Sequence, residues 1–238
     1  MPNSSFRFKQ FSVKQSASAM KVGTDGVLVG AWAESDNVTE ILDIGSGTGL
    51  ISLMLSQRFP KSAIKGVELD KDAYSESVEN VLQSKWADRI QIINGSIQEF
   101  AEMQTVLFGL IVSNPPFYQT QYRPVIESRS TARHNDTLPF TDLLESAKRM
   151  LADDGRFCVI LPADSQSEIE QLCAKMDLCI AKKCNVLPTP HKPAKRLMYS
   201  IAKQQISTVS ETIVVESHGR HQYSEEYKNL TKDFYLAF

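Results

Sequence analysis

From residue 40 onward the sequence alternates short β-rich runs with helical stretches, and this alternation constrains the fold more than any other feature. The periodicity predicts strands over 40–44, 63–68, 90–94, 108–113, 155–161, 178–187 and 196–203. It predicts helices over 49–58, 71–85, 97–104, 138–151 and 165–175. Repeated strand–helix units bury both faces of a parallel sheet under helices, so an α/β fold with helices on both faces follows. The last two strands are joined by the stretch PTPHKP at 188–193. That link is too short for a helical crossover, so the two strands are expected to pair antiparallel. Before residue 40, Val27, Leu28, Ala31 and Trp32 share one helical face, with Thr24 or Asp25 expected as N-cap. After residue 205 come a possible strand at 211–215 and an aromatic tail, 223–238; the pattern offers no position for the tail.

The chain has 238 residues, of which 42% are hydrophobic and 23% charged, so it can bury a sizeable core and is not expected to be disordered. One domain is expected over 1–238: an N-terminal segment and helix at 1–39, a core at 40–205 and a tail at 206–238. No apolar run approaches the roughly 18 residues a membrane span needs. The N-terminus lacks the apolar centre of a secretion signal, so no membrane partner and a cytoplasmic location are expected. The four cysteines, at 158, 173, 179 and 184, form no C-x-x-C pair, and the histidines complete no zinc pattern. Reduced thiols packed as small apolar groups, and no metal, are expected.

Net charge is −2, but its distribution is uneven. Residues 1–24 carry Arg7, Lys9, Lys14 and Lys21 and no acid. Residues 181–210 carry Lys182, Lys183, Lys192, Lys195, Arg196 and Lys203, again without an acid. Basic patches on a nearly neutral protein are compatible with nucleic acid as a partner and equally with ordinary solvated lysines.

Asp43-Ile-Gly45-Ser46-Gly47-Thr-Gly49 follows the first predicted strand and opens a helix. Glycines there permit a tight turn and close approach of backbone to ligand. The loop lacks the Lys-Ser/Thr of a phosphate-gripping loop. Glu68, with Leu69 after it, ends the next strand 25 residues beyond Asp43. An acid at that tip is suited to hydrogen-bonding ribose hydroxyls. A carboxylate beside the glycine loop repels a pyrophosphate and attracts an amine, so S-adenosylmethionine is favoured over a dinucleotide as cofactor. The third strand ends at Asn94-Gly95-Ser96-Ile97, where Ser96 offers a hydroxyl to the cofactor's adenine.

The fourth strand ends in SNPPFYQ, residues 113–119. Two prolines stop a strand and stiffen the backbone beyond it. Asn114, Pro115, Pro116 and Phe117 therefore read as a rigid shelf carrying an amide and a ring. An amine conjugated to a ring is a poor nucleophile. The Asn114 side-chain oxygen and the Pro115 carbonyl can each accept one of its hydrogens and aim its lone pair, while Phe117 stacks on the ring. The loop at 118–137 carries Tyr118, Arg123, Arg129 and Arg133. Together with Lys192, Lys195 and Arg196 near the proline-rich link, these are candidate RNA contacts.

The shelf motif is similar to that of class I methyltransferases that modify planar amino nitrogens. FRFKQFSVKQSASAMKVGTDGVLVGAWA, LDIGSGTGLISLMLSQR, GVELD and IVSNPPFY resemble the bacterial tRNA1(Val) adenine-N6 methyltransferase family from about residue 6 to 120, with a weaker match in PTPHKPAKRLMY. The resemblance implies a Rossmann-like, seven-stranded sheet, mostly parallel with a C-terminal antiparallel hairpin. It implies S-adenosylmethionine as cofactor, tRNA as partner with no obligate protein partner, and methylation of the adenine 3′ of the anticodon. It implies that Lys21, Thr24 and Asp25 close the donor pocket, that Asp43, Gly45 and Glu68 hold the donor, and that Asn114 to Phe117 hold adenine. Ser96 departs from the aspartate often found at its position. Guanine-N2 methyltransferases of ribosomal RNA share N-P-P-F and are the alternative reading. Protein glutamine methyltransferases and a non-catalytic RNA-binding module fit the chain less well.

Overall fold

The structure, a computed structural model, describes residues 4–18, 20–116 and 138–238. β1 (Ser5–Arg7) and β2 (Ser12–Lys14) form a short antiparallel hairpin outside the main sheet. Next come α1 (Thr24–Trp32), β3 (Glu40–Ile44), α2 (Leu50–Arg58), β4 (Ala63–Glu68), α3 (Lys71–Leu82), β5 (Ile90–Asn94), α4 (Ile97–Met103) and β6 (Phe108–Ser113). After residue 137 follow α5 (Phe140–Met150), β7 (Leu151–Pro162), α6 (Gln166–Lys175), β8 (Cys179–Leu187), β9 (Arg196–Ala202), β10 (Val209–Val214) and α7 (Glu225–Thr231).

The main sheet runs β10-β8-β9-β7-β6-β3-β4-β5. β9 is antiparallel to both its neighbours, and every other pairing is parallel. The seven expected strands are all present, and the link at 188–193 joins the expected antiparallel pair. An eighth strand, β10, is added at the edge, so the sheet is larger than the seven strands expected. β10 covers 209–214, where the sequence offered a possible strand at 211–215, and of its six residues only Ile213 is buried. β7 begins earlier than expected. The polar stretch 152–155 lies within a register irregularity that moves the pairing from Phe108–Leu151 to Leu110–Arg156.

Successive strand residues face opposite sides, and both sides are covered. Ile41, Leu110, Val112, Cys158 and Met198 join one core with α1, α2 and the N-terminal hairpin. Leu42, Ile44, Ile111, Phe157 and Tyr199 join the other with α4, α5 and α6. The cysteines are free thiols, three of them buried. α1 begins on Gly23, whose extended backbone caps it without a side-chain bond. Thr24 and Asp25 are thus the first helical residues rather than the cap, because the Asp25 carboxylate is bound to Arg196 instead.

The aromatic tail packs against the other end of the chain. Lys9 donates its N–H to the Phe234 carbonyl at 2.8 Å and its ammonium to the Lys232 and Phe238 carbonyl oxygens. Phe8 stacks on Phe11 with centroids 4.7 Å apart and lies 5.8 Å from the Tyr235 ring. The contacts of Phe8 and Lys9 with the tail span more than two hundred residues, and no local pattern encodes them. The ring cluster fastens the hairpin from which the segment before α1 departs. Phe8→Ala is expected to cost about 3–5 kcal/mol in urea unfolding, the usual result of emptying a buried aromatic site. A loss below about 1 kcal/mol, within the range of a surface substitution, contradicts this packing.

Candidate active site

The carboxyl ends of β3, β4, β5 and β6 meet at one edge because their registers agree. Ile44 lies opposite both Val67 and Ser113, and Glu68 lies opposite Asn94. A cleft of about 440 Å³ opens there. It is lined by Gly45, Ser46, Gly47 and Thr48 of the glycine loop, by Leu50 and Ile51 of α2, by Met20, Lys21 and Gly23–Gly26, and by Asn114 and Arg196. The crevice outside the strand ends is where open α/β sheets bind ligands.

Gly45 and Gly47 have φ of 71° and 54°, a region L side chains rarely adopt. A β-carbon built on either meets nothing within 4 Å, so both positions face open space. Glu68 ties this loop to the next strand. Its Oε2 accepts the Gly47 N–H at 2.7 Å and its Oε1 accepts the Asp70 N–H at 2.8 Å. Each carboxylate oxygen has a second lone-pair site.

Asp43 is wholly buried, on the same side of β3 as Ile41. Its Oδ2 accepts from the Ser52 N–H at 3.0 Å and the Ser52 hydroxyl at 2.7 Å, while Oδ1 has no partner. Burial pushes the carboxyl up to about 7, against the downward pull of the Ser52 bonds and with a further push from Glu68. The Ser46 hydroxyl and Asn114 Oδ1 are also buried without a partner among the described residues. Three of the six buried side-chain polar atoms that lack a partner among the described residues thus gather at this edge, where a ligand could satisfy them. A buried acid, an orphaned hydroxyl and an acid at the tip of β4 suit a ligand with a cationic amine and sugar hydroxyls.

Asn114 follows the last residue of β6, which neighbours the strand carrying the glycine loop. Its amide nitrogen contacts the Met20 sulfur at 3.7 Å. Pro115 is buried and Pro116 exposed. Arg196, at the start of β9, bonds Asp25 through Nε at 2.7 Å. Of the residues singled out from sequence, the cleft thus brings together Lys21, Thr24, Asp25, Gly45, Ser46, Gly47, Asn114 and Arg196, with Asp43 buried nearby.

Glu68, Leu69, Ser96 and Ile97 lie at the neighbouring strand tips. Leu69 is exposed. Ser96 caps α4, its hydroxyl oxygen accepting the Glu99 N–H at 3.2 Å. The Ile97 side chain belongs to the core. Lys192 and Lys195 are exposed on the β8–β9 link. Phe117, Tyr118, Arg123, Arg129 and Arg133 lie outside the described residues.

Three structural residues of the site were not anticipated: Ser52, Glu76 and Asn80. Ser52 holds the buried acid. Glu76 and Asn80 lie on the buried stripe of α3 with Ala73, Ser77 and Val81. A carboxylate and an amide at stripe positions were a readable signal, masked by an otherwise polar helix.

Fold and cleft define a methyltransferase, and residues 16–182 match the Methyltransferase small domain family. A crystal structure described as a predicted O-methyltransferase from Agrobacterium tumefaciens shares the fold, with a TM-score of 0.69 at 16% identity, over 88% of this chain and 96% of that one. Two relatives named tRNA1(Val) (adenine(37)-N6)-methyltransferase are more similar in sequence. The one from Trichodesmium erythraeum is 40% identical over 100% of both chains. The one from Flavobacterium johnsoniae is 42% identical over 97% of this chain and 99% of its own. The chain belongs to this family of tRNA1(Val) (adenine(37)-N6)-methyltransferases.

The raised pKa of Asp43 has a signed consequence. Between about pH 4 and 7 an unfolded chain has released this proton while the ligand-free folded chain retains it. The group's contribution to stability therefore falls as pH rises through that window. Asp43→Asn keeps an acceptor for Ser52 and removes the charge. At pH 8 it is expected to raise the ligand-free melting temperature by about 2–4 °C, equivalent to about 1 kcal/mol. At pH 5, where the wild-type carboxyl is largely protonated, the gain is expected to shrink towards zero. Calorimetric scans at both pH values check this, and an equal gain at both contradicts it.

Proposed function

We propose that this chain transfers a methyl group from S-adenosylmethionine to the N6 amine of adenine 37 in tRNA1(Val). One observation carries the chemical part of the reading: the buried, unpartnered Asn114 oxygen at the tip of β6, beside the glycine-loop cleft. The names of the full-length relatives support the choice of nucleotide. The reading treats 1–238 as one methyltransferase domain working on tRNA in the cytoplasm, without an obligate protein partner. Among the described residues no helix is long and apolar enough to cross a membrane.

The donor, when bound, supplies an electrophilic methyl on a sulfonium centre. Asp43 Oδ1 and the Ser46 hydroxyl are suited to its amine and carboxylate end, and Glu68 to its ribose. Lys21, Thr24, Asp25, Gly45 and Gly47 line the walls, and Leu69, Ser96 and Ile97 lie at the strand tips suited to its adenine. Asn114 Oδ1 accepts one hydrogen of the target amine and the Pro115 carbonyl the other, and both act without reorganising because prolines fix the backbone. Phe117 stacks on the target ring. Once the nitrogen has gained its methyl, one amine proton is lost to solvent, so no strong base has to be built into the site. The target lies in an anticodon loop, where a base is reached without opening a long duplex. Tyr118, Arg123, Arg129, Arg133, Lys192, Lys195 and Arg196 are assigned to the RNA backbone and its exposed bases.

Purified protein, labelled donor and unmodified tRNA, followed by mass identification of the methylated nucleoside, test the reading. N6-methyladenosine at position 37 is expected, while N2-methylguanosine or no product overturns it. Asn114→Ala is expected to lower kcat about 10²–10³-fold, the usual cost of one lost transition-state hydrogen-bonding group. Calorimetry should show donor affinity within about threefold of wild type, as expected where ground-state binding is untouched. Lys192→Glu with Lys195→Glu should weaken tRNA binding and reduce the slope of log affinity against log salt by about 1–2. An unchanged slope removes the β8–β9 link from the RNA interface.

A further inference from the structure

α3 holds the segment before α1 through two polar side chains that do not line the cleft. Glu76 is only 5% exposed and Asn80 only 2%. A carboxylate buried to that extent is costly unless its lone pairs are satisfied. Those of Glu76 are: Oε1 accepts from the Ser16 N–H at 2.5 Å, the Ser16 hydroxyl at 2.9 Å and the Ala17 N–H at 2.9 Å. Oε2 accepts the Ser18 N–H at 2.8 Å. Burial by itself raises the carboxyl's pKa, but these bonds outweigh it and hold the group below its ordinary value.

One turn further along, Asn80 joins the end of β2 to the glycine loop. Its oxygen accepts the Lys14 N–H at 2.7 Å, and its nitrogen donates to the Lys14 and Thr48 carbonyls, each at 2.9 Å. Thr48 belongs to the glycine loop. The clasped segment is also folded on itself. The Lys21 ammonium donates to the Gln15 and Ser18 carbonyls, and Gln15 Oε1 accepts the Val22 N–H at 2.8 Å. Its far end delivers Met20 to the Asn114 amide and leads directly into Gly23, Thr24 and Asp25 of the cleft wall.

We propose that Glu76 is a positioning residue for the methyl donor: by gripping the amides of residues 16–18 it sets the N-terminal strap against the glycine loop and so fixes the width of the donor cleft. The inference rests on the donor-site reading above. Ser16 and Ala17 are exposed while Ser18 is buried, so two of the three released N–H groups find water as soon as the carboxylate is lost. The strap then lets go locally while the sheet beneath it stays folded. A side chain needed only for packing behaves differently: its loss lowers the folded fraction and leaves the affinity of the surviving molecules unchanged.

Glu76→Gln separates the two. Amide hydrogen exchange within residues 14–22 should accelerate about tenfold or more, the usual result of losing charge-assisted bonds, while amides of β3 and β6 keep their protection. Calorimetric titration with S-adenosylhomocysteine should give a Kd about tenfold weaker. KM for the donor should rise similarly, with kcat at saturating donor within about twofold of wild type. Ala17→Pro removes one of the gripped N–H groups from the exposed strap, leaves α3 intact and is expected to weaken Kd in the same direction. Unchanged Kd in both variants overturns the proposal, as does a fall in kcat with KM unaltered or exchange that quickens across the whole sheet. A wild-type chain that fails to bind S-adenosylhomocysteine overturns the donor-site reading itself. Normal wild-type binding with unaffected variants overturns the role of Glu76 alone.

Discussion

The alignment of β3 with β4 and β6 is the constraint on which the site depends. Because Ile44 lies opposite Val67 and Ser113, the glycine loop, Glu68 and Asn114 emerge side by side at one edge. A slip of one residue turns every side chain of a strand to the other face. It would carry Asp43 from the α1–α2 side of the sheet to the opposite core and separate it from Ser52. The apolar residues on both faces of β3 and β6 make such a slip costly, so the core that stabilises the sheet also aligns the chemistry.

Two buried carboxylates close to the cleft show how environment divides their roles. Asp43 keeps one oxygen unpartnered, and burial lifts its pKa into the neutral range. Glu76 has hydrogen bonds on both oxygens and stays below the ordinary range. The first leaves one acceptor without a partner among the described residues. The second is fully occupied in holding backbone. Burial alone does not distinguish a binding group from a structural one; the count of satisfied lone pairs does.

The N-terminus, α3 and the C-terminal tail together form a support for the cleft on the α1–α2 side of the sheet. Rings from residues 6–11 pack with Tyr235, Lys9 reaches the end of the tail, and the next stretch is gripped by Glu76 and Asn80. The segment at 20–25 is thereby held at one end by α3 and at the other by α1. The Asp25–Arg196 ion pair links it to the start of β9, and both residues line the cleft with the glycine loop.

The sequence by itself determined seven strands along the chain, the antiparallel hairpin, the glycine loop, the acids at 43 and 68 and the amide at 114. Each comes from a local signal: apolar periodicity, glycine where φ is positive, proline where a strand must stop. Only the tertiary structure decided the rest. The tail's position, the place of the eighth strand at the sheet edge, the N-terminal strap and the pairing of Asp25 with Arg196 rest on contacts between residues far apart in the chain. Helix periodicity marks Glu76 and Asn80 as facing inward, but not what they face. Hydrogen bonds to the backbone of a distant segment depend on where two elements come together, and no local pattern of residue types records that meeting.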